Sequence, residues 1–86
     1  MFSCFVKIPN KTGLHARPAS QLVAFCQNFE NKICIKVGGK EFDPKSIISI
    51  LSAGIKQGQE VELIVHGPDE EKAGQEIVAF IELLTG

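Results

Sequence analysis

The feature that most constrains this chain is a change of hydrophobic period across Asn10-Lys11-Thr12-Gly13-Leu14-His15-Ala16-Arg17-Pro18-Ala19. Before it, Phe2 to Ile8 alternates, with Cys4, Val6 and Ile8 on one face and Ser3, Phe5 and Lys7 on the other. That is the pattern of a half-buried strand, and Pro9 stops it. After it, Ala19, Leu22, Val23 and Cys26 recur at helical spacing and Phe29 continues the stripe, so an amphipathic helix is expected from about Ala16 to Asn28. Thr12-Gly13 reads as the turn between the two. Pro18 suits a first helical turn, where its missing N–H costs nothing and its fixed φ fits. A helix that starts near Ala16 leaves its first N–H groups unpaired and pointing back toward His15. Those donors and the positive end of the helix dipole make an anion site, to which Arg17 adds a cation.

The rest of the chain repeats the same alternation of periods. Ile33, Ile35 and Val37 share a strand face, Gly38-Gly39 is a two-residue hairpin signal, and Lys40-Glu41-Phe42 begins the return strand before Asp43-Pro44-Lys45 breaks it. Ser46 stands as the N-cap of a short helix from Ile47 that Gly54 stops. On that helix Ile47, Ile50 and Leu51 form one stripe with Ile48 at its edge. The resulting apolar arc of roughly 160° is wide for two turns. Part of it is expected to stay exposed as a partner patch. Val61, Leu63 and Val65 alternate with Glu60, Glu62, Ile64 and His66 in a further strand. Asp69 is placed to cap a last helix, with Glu70 and Glu71 in its first turn and Ala73, Ile77, Phe80, Ile81 and Leu84 along its buried stripe. His66 reads as a surface residue at a strand end.

The order strand, helix, strand, strand, helix, strand, helix points to an α+β two-layer fold, a four-stranded sheet with the helices on one face. Residues 1–86 are expected to form one domain, with no internal repeat or linker. Nine basic and ten acidic residues leave a formal charge of −1. That near balance argues against a nucleic-acid or anionic-membrane partner held by charge alone. No apolar run approaches the roughly 20 residues of a membrane span. The first residues carry neither the basic region nor the cleavage site of a signal peptide. Cys4, Cys26 and Cys34 form no C-x-x-C pair, which fits buried thiols in a reducing cytosol, and two histidines without paired spacing give no zinc site. The expectation is a cytoplasmic monomer without metal or other cofactor.

Neutral imidazole is a nucleophile, and a helix N-terminus disfavours its protonated form. Once a phosphoryl group sits on His15, the same N–H groups and Arg17 stabilise the added charge. Both states want the same surroundings, which suits reversible carriage rather than hydrolysis. No P-loop, metal constellation or Ser/His/Asp arrangement accompanies the histidine.

The stretch from Asn10 to Ala19 closely resembles the active-site signature of the HPr family, the histidine phosphocarriers of the bacterial sugar phosphotransferase system. Asp43-Pro44-Lys45-Ser46-Ile47-Ile48-Ser49-Ile50 resembles the same family's second signature, around a regulatory serine. The resemblance implies an open-faced βαββαβα sandwich with an antiparallel sheet and three helices on one side. It implies that His15 accepts a phosphoryl group on Nδ1 from enzyme I, itself charged by phosphoenolpyruvate, and passes it to sugar-specific IIA proteins. Arg17 and the backbone N–H groups of Ala16 and Arg17 would hold that group. Ser46 would be the target of an ATP-dependent HPr kinase/phosphorylase, and the modified form a corepressor for a catabolite control protein in Gram-positive bacteria. Thr12, Leu14, Ile47, Ile48, Leu51 and Gly54 are the expected partner-facing positions. A purely regulatory module acting through Ser46 and the apolar patch is the competing reading. A relative that had lost the carrier role would be expected to lack the histidine. A small-molecule-binding module would need a concave apolar pocket, of which the sequence gives no sign.

Overall fold

The structure, a computed structural model, describes residues 1–86. Its elements are β1 (Phe2–Lys7), α1 (Ala16–Cys26), β2 (Lys32–Val37), β3 (Lys40–Phe42), α2 (Ile47–Ala53), β4 (Glu60–His66) and α3 (Glu70–Glu82). The four strands make one sheet in the order β1-β4-β2-β3, with every neighbouring pair antiparallel. β4 therefore lies inside the sheet, pairing Cys4 with Leu63 on one side and Ile35 with Leu63 on the other. The expected open-faced βαββαβα sandwich is the architecture found.

Strand alternation sends Val6, Ile33, Ile35, Val61, Leu63 and Val65 into the layer beneath the helices, where all are buried. Ala19, Leu22, Val23 and Cys26 of α1 meet them, with Ile50 of α2 and Ala73, Ile77 and Ile81 of α3. Phe80 of the expected α3 stripe is only half-buried, because its ring leaves the centre to stack on Phe25 of α1 at 4.3 Å. Both Gly38 and Gly39 have positive φ, 56° and 81°, the requirement of the tight β2–β3 hairpin. No helix is long and apolar enough to cross a membrane.

Three local expectations change. α1 ends at Cys26 rather than Asn28, its last carbonyls closed by the Gln27 N–H on Val23 and the Asn28 N–H on Phe25. Asp69 does not cap α3 with its side chain, because its backbone is left-handed at φ 50° and the carboxylate makes no cap bond. Glu70 acts there instead, accepting from the Gly67 N–H at 3.2 Å and pairing with the amino group of Met1. The third concerns Leu14 and belongs to the site.

Candidate functional site

The loop that carries His15 is built from Asn10 outward. Asn10 is buried, its carbonyl accepts the Gly13 N–H at 3.1 Å, and its side-chain amide donates to the Gly13 carbonyl at 2.6 Å. The turn is thus Asn10 to Gly13, starting two residues before the Thr12-Gly13 reading, and an Asx residue three before a glycine is the signal for it. Gly13 is required twice over. Its φ is 66°, and a Cβ would overlap the carbonyl oxygen of Ile55. That same carbonyl accepts the Leu14 N–H at 3.0 Å, and the Thr12 N–H donates to the Gly86 carbonyl at 2.8 Å.

These contacts drive the Leu14 side chain fully into the core, where it is solvent-inaccessible. Leu14 is therefore corrected from a partner-facing position to a core anchor beneath the loop. Strand-like alternation explains the reversal: with Leu14 inward, the next residue points out. His15 is extended at φ −128° and ψ 162°, exposed, and its ring makes no hydrogen bond.

Ala16 follows at φ 50°, a left-handed conformation that nothing in its residue type announces. The first helical bond runs from the Ala19 N–H to the His15 carbonyl at 3.4 Å. The N–H groups of Ala16 and Arg17 donate to no backbone carbonyl, and Pro18 has none to offer. No acidic side chain occupies the first turn of α1, and Arg17, which is exposed, pairs with no carboxylate. An exposed imidazole thus stands beside unpaired backbone donors, a helix start and a free guanidinium. Chemically this is a nucleophile beside a place for negative charge.

Ser46 caps α2 as expected, its Oγ accepting the Ser49 N–H at 3.2 Å, while Gly54 ends the helix at φ 63°. The approach to Ser46 is braced. Lys45 Nζ donates to the Phe29 and Asn31 carbonyls at 2.6 and 2.8 Å, and Gln27 Nε2 donates to the Lys45 carbonyl at 3.1 Å. Sequence reasoning gave Lys45 no such part, since a lysine before an N-cap is normally solvated.

Ile50 is the buried residue of α2, Ile47 is half-buried, and Ile48 and Leu51 are 78% and 42% exposed. The wide apolar arc is indeed only partly covered. Thr12 and Gly54 are at the surface too, so all the expected partner-facing positions except Leu14 are accessible, Ile47 in part. The bond from Leu14 to Ile55 places the His15 loop beside the C-terminal end of α2, with Ser46 at the other end. A seven-residue helix spans about 10 Å.

The three cysteines are free. Burial pushes the Cys26 thiol up to about 12, against a smaller opposing pull from Lys45. Cys34 is raised by burial and by the adjacent Glu41 carboxylate. Neither is poised as a nucleophile. His66 is exposed, 3.9 Å from Glu70, and away from His15 in the chain's architecture, at the end of β4. No group of three His, Cys, Asp or Glu side chains is arranged to hold a metal ion.

Residues 2–82 match the family described as "PTS HPr component phosphorylation site". The chain belongs to the HPr family. It is 34% identical over 84 residues to the phosphocarrier protein HPr of Haemophilus influenzae, covering 98% of this chain and 99% of that one. It is 40% identical over 77 residues to the HPr-like protein Crh of Halalkalibacterium halodurans, covering 90% of this chain and 92% of the relative. The crystal structure of HPr from Thermoanaerobacter tengcongensis superposes with a TM-score of 0.91 at 41% identity, over 95% of this chain and 92% of that one. HPr-family proteins act in the phosphotransferase system as phosphocarriers, and both carrier and Crh-named members are among the relatives of this chain.

Proposed function

We propose that this protein carries a phosphoryl group on His15, taking it from phospho-enzyme I and giving it to sugar-specific IIA proteins in the cytoplasm. The observation that carries the reading is the exposed, unbonded imidazole beside the unpaired N–H groups of Ala16 and Arg17 and the unpaired Arg17 guanidinium, in a chain of the HPr family. Neutral His15 attacks phosphorus through the Nδ1 lone pair as the bond between phosphorus and the donor nitrogen breaks, and the donor nitrogen keeps that bonding pair. The proton stays on Nε2, so no general base is needed. The backbone donors and Arg17 then face the transferred group, offsetting its charge without cleaving it. A carrier must hold the group loosely enough to give it up, and an open surface site with hydrogen-bond donors and no buried water-activating base suits that.

Incubation with phosphoenolpyruvate and enzyme I tests the reading. Acid-labile, base-stable phosphate should appear on the protein and vanish in His15→Ala. Label that persists in that variant would place the chemistry elsewhere.

A second, regulatory role rests on Ser46 and the exposed Ile48 and Leu51 of the same helix. A kinase that phosphorylates Ser46 would add about two negative charges at a helix N-cap, where the dipole tolerates them. At about 10 Å from the His15 loop, about one Debye length, such charge acts weakly on His15 itself. Its effect would fall on whatever docks over α2, repelling enzyme I and favouring a partner with cations, such as a catabolite control protein. Ser46→Asp should slow transfer to His15 with melting temperature unchanged. Equal rates for mutant and parent would remove this role.

A further inference from the structure

Nothing bonded to the His15 side chain holds it, so its position must be inherited from the backbone before it. In the stretch from Asn10 to Arg17 the only side-chain hydrogen bond is the one Asn10 makes. Asn10 is 4% exposed and grips both polar groups of Gly13, the carbonyl through Nδ2 and the N–H through its own main-chain oxygen. The peptide it fixes is the one that leads into Leu14, whose N–H is tied to Ile55 and whose side chain is buried. His15 follows directly, with the free donors of Ala16 and Arg17 behind it. The clamp is also held at a cost, since Asn10 Oδ1 is buried without any hydrogen-bond partner. The amide orientation is nevertheless the required one, because turning it would set two carbonyl oxygens face to face at 2.6 Å.

We infer that Asn10 is a positioning residue for phosphoryl transfer: its side-chain amide, clamped on the Gly13 carbonyl, sets where His15 stands against the donors of Ala16 and Arg17. This rests on the carrier reading above and adds to it a residue that touches neither phosphate nor partner. The orphaned Oδ1 separates it from an ordinary stabilising contact. Removing the side chain takes away the unsatisfied Oδ1 but leaves the Gly13 carbonyl without its side-chain donor, so a modest loss of stability accompanies the loss of transfer. Asn10→Asp instead sets a carboxylate against the Gly13 carbonyl and should harm both.

The test uses Asn10→Ala and Asn10→Asp in the full chain, with phospho-enzyme I as donor. For Asn10→Ala the expected result is a fall of about tenfold in kcat for transfer to His15, with KM for this protein within twofold of the parent value because most of the docking surface, Ile47, Ile48, Leu51 and Gly54, lies outside the turn. In the unphosphorylated protein, backbone 15N order parameters at Leu14, His15 and Ala16 should drop from about 0.85 to below about 0.6. A variant that melts lower yet transfers at the parent rate with unchanged order parameters would make Asn10 a structural residue only, and the inference would be wrong. Should the parent itself accept no phosphoryl group, the carrier reading fails. The order parameters alone then decide: a drop keeps Asn10 as the residue that positions His15, and no drop overturns it.

Discussion

At the scale of single residues, the site departs from local preference at Ala16. An L-residue at φ 50° costs about 1–2 kcal/mol relative to its favoured regions. Replacing it with glycine removes that strain and adds about 0.5–1 kcal/mol of unfolded-state entropy. Ala16→Gly should therefore be neutral or stabilising by up to about 1 kcal/mol in urea unfolding, where an alanine in a regular helix interior would lose about 1 kcal/mol. A loss of that size would mean the left-handed conformation is not held in solution. Ala16 also marks what the residues could not announce. Pro18, Arg17 and the glycine before His15 signalled a helix start with an anion site, whereas alanine carries no mark of a left-handed backbone. The burial of Leu14 was hidden for a different reason: it depends on Ile55, forty-one positions later by the numbering of the two residues.

At the scale of elements, the packing of β1 against α3 turns on one glycine. Gly74 is buried inside α3, and a Cβ there would overlap the ring of Phe2. Two effects compete in Gly74→Ala: about 1 kcal/mol gained in helix propensity, and about 1–3 kcal/mol lost as the ring is displaced. The clash should win in the parent, with a net loss of up to about 2 kcal/mol by denaturant unfolding. In a Phe2→Ala background the clash is absent, and the same substitution should stabilise by up to about 1 kcal/mol. A loss of equal size in both backgrounds would show that the ring is not the obstacle.

The start of α3 supplies the pH dependence. The amino group of Met1 and then the Gly67 N–H lower the Glu70 carboxyl below its ordinary value. A group lowered in the folded state adds stability above its unfolded value, about 4.3 for glutamate, and loses it as the pH falls through the folded value. The parent should therefore lose a stability increment below about pH 4.3 that Glu70→Gln lacks, read as converging melting temperatures on acidification. A constant gap between the two down to pH 2 would refute it. Asp69, two residues from Gly67, had the residue type of a cap, but its left-handed backbone passes that work to its neighbour.

At the scale of the whole molecule, element order and the faces of each strand were legible because period two and period 3.6 alternate cleanly along the chain. Ser46 and Gly54 mark α2 by residue type alone, and both act as read. Sheet order was not legible, since hydrophobic alternation says which face a strand buries and nothing about which strand lies beside it. Only the β2–β3 hairpin follows from local turn chemistry. The family resemblance supplied the architecture that periodicity left open.

That order has a consequence for how the chain assembles. β4 is the common neighbour of β1 and β2, contributing six residue pairs to the first and five to the second. Until residues 60–66 exist, the earlier strands have nothing to bridge them, and the three-pair β2–β3 hairpin is the sole piece of sheet available. During synthesis β1 and the β2–β3 hairpin must wait, apart, for a strand made in the last third of the chain. A nascent chain stalled with Gln59 as its last residue outside the ribosome should be cut readily by protease, and one extended past Glu82 should resist. Equal resistance at both lengths would mean the early helices hold the strands together without their keystone.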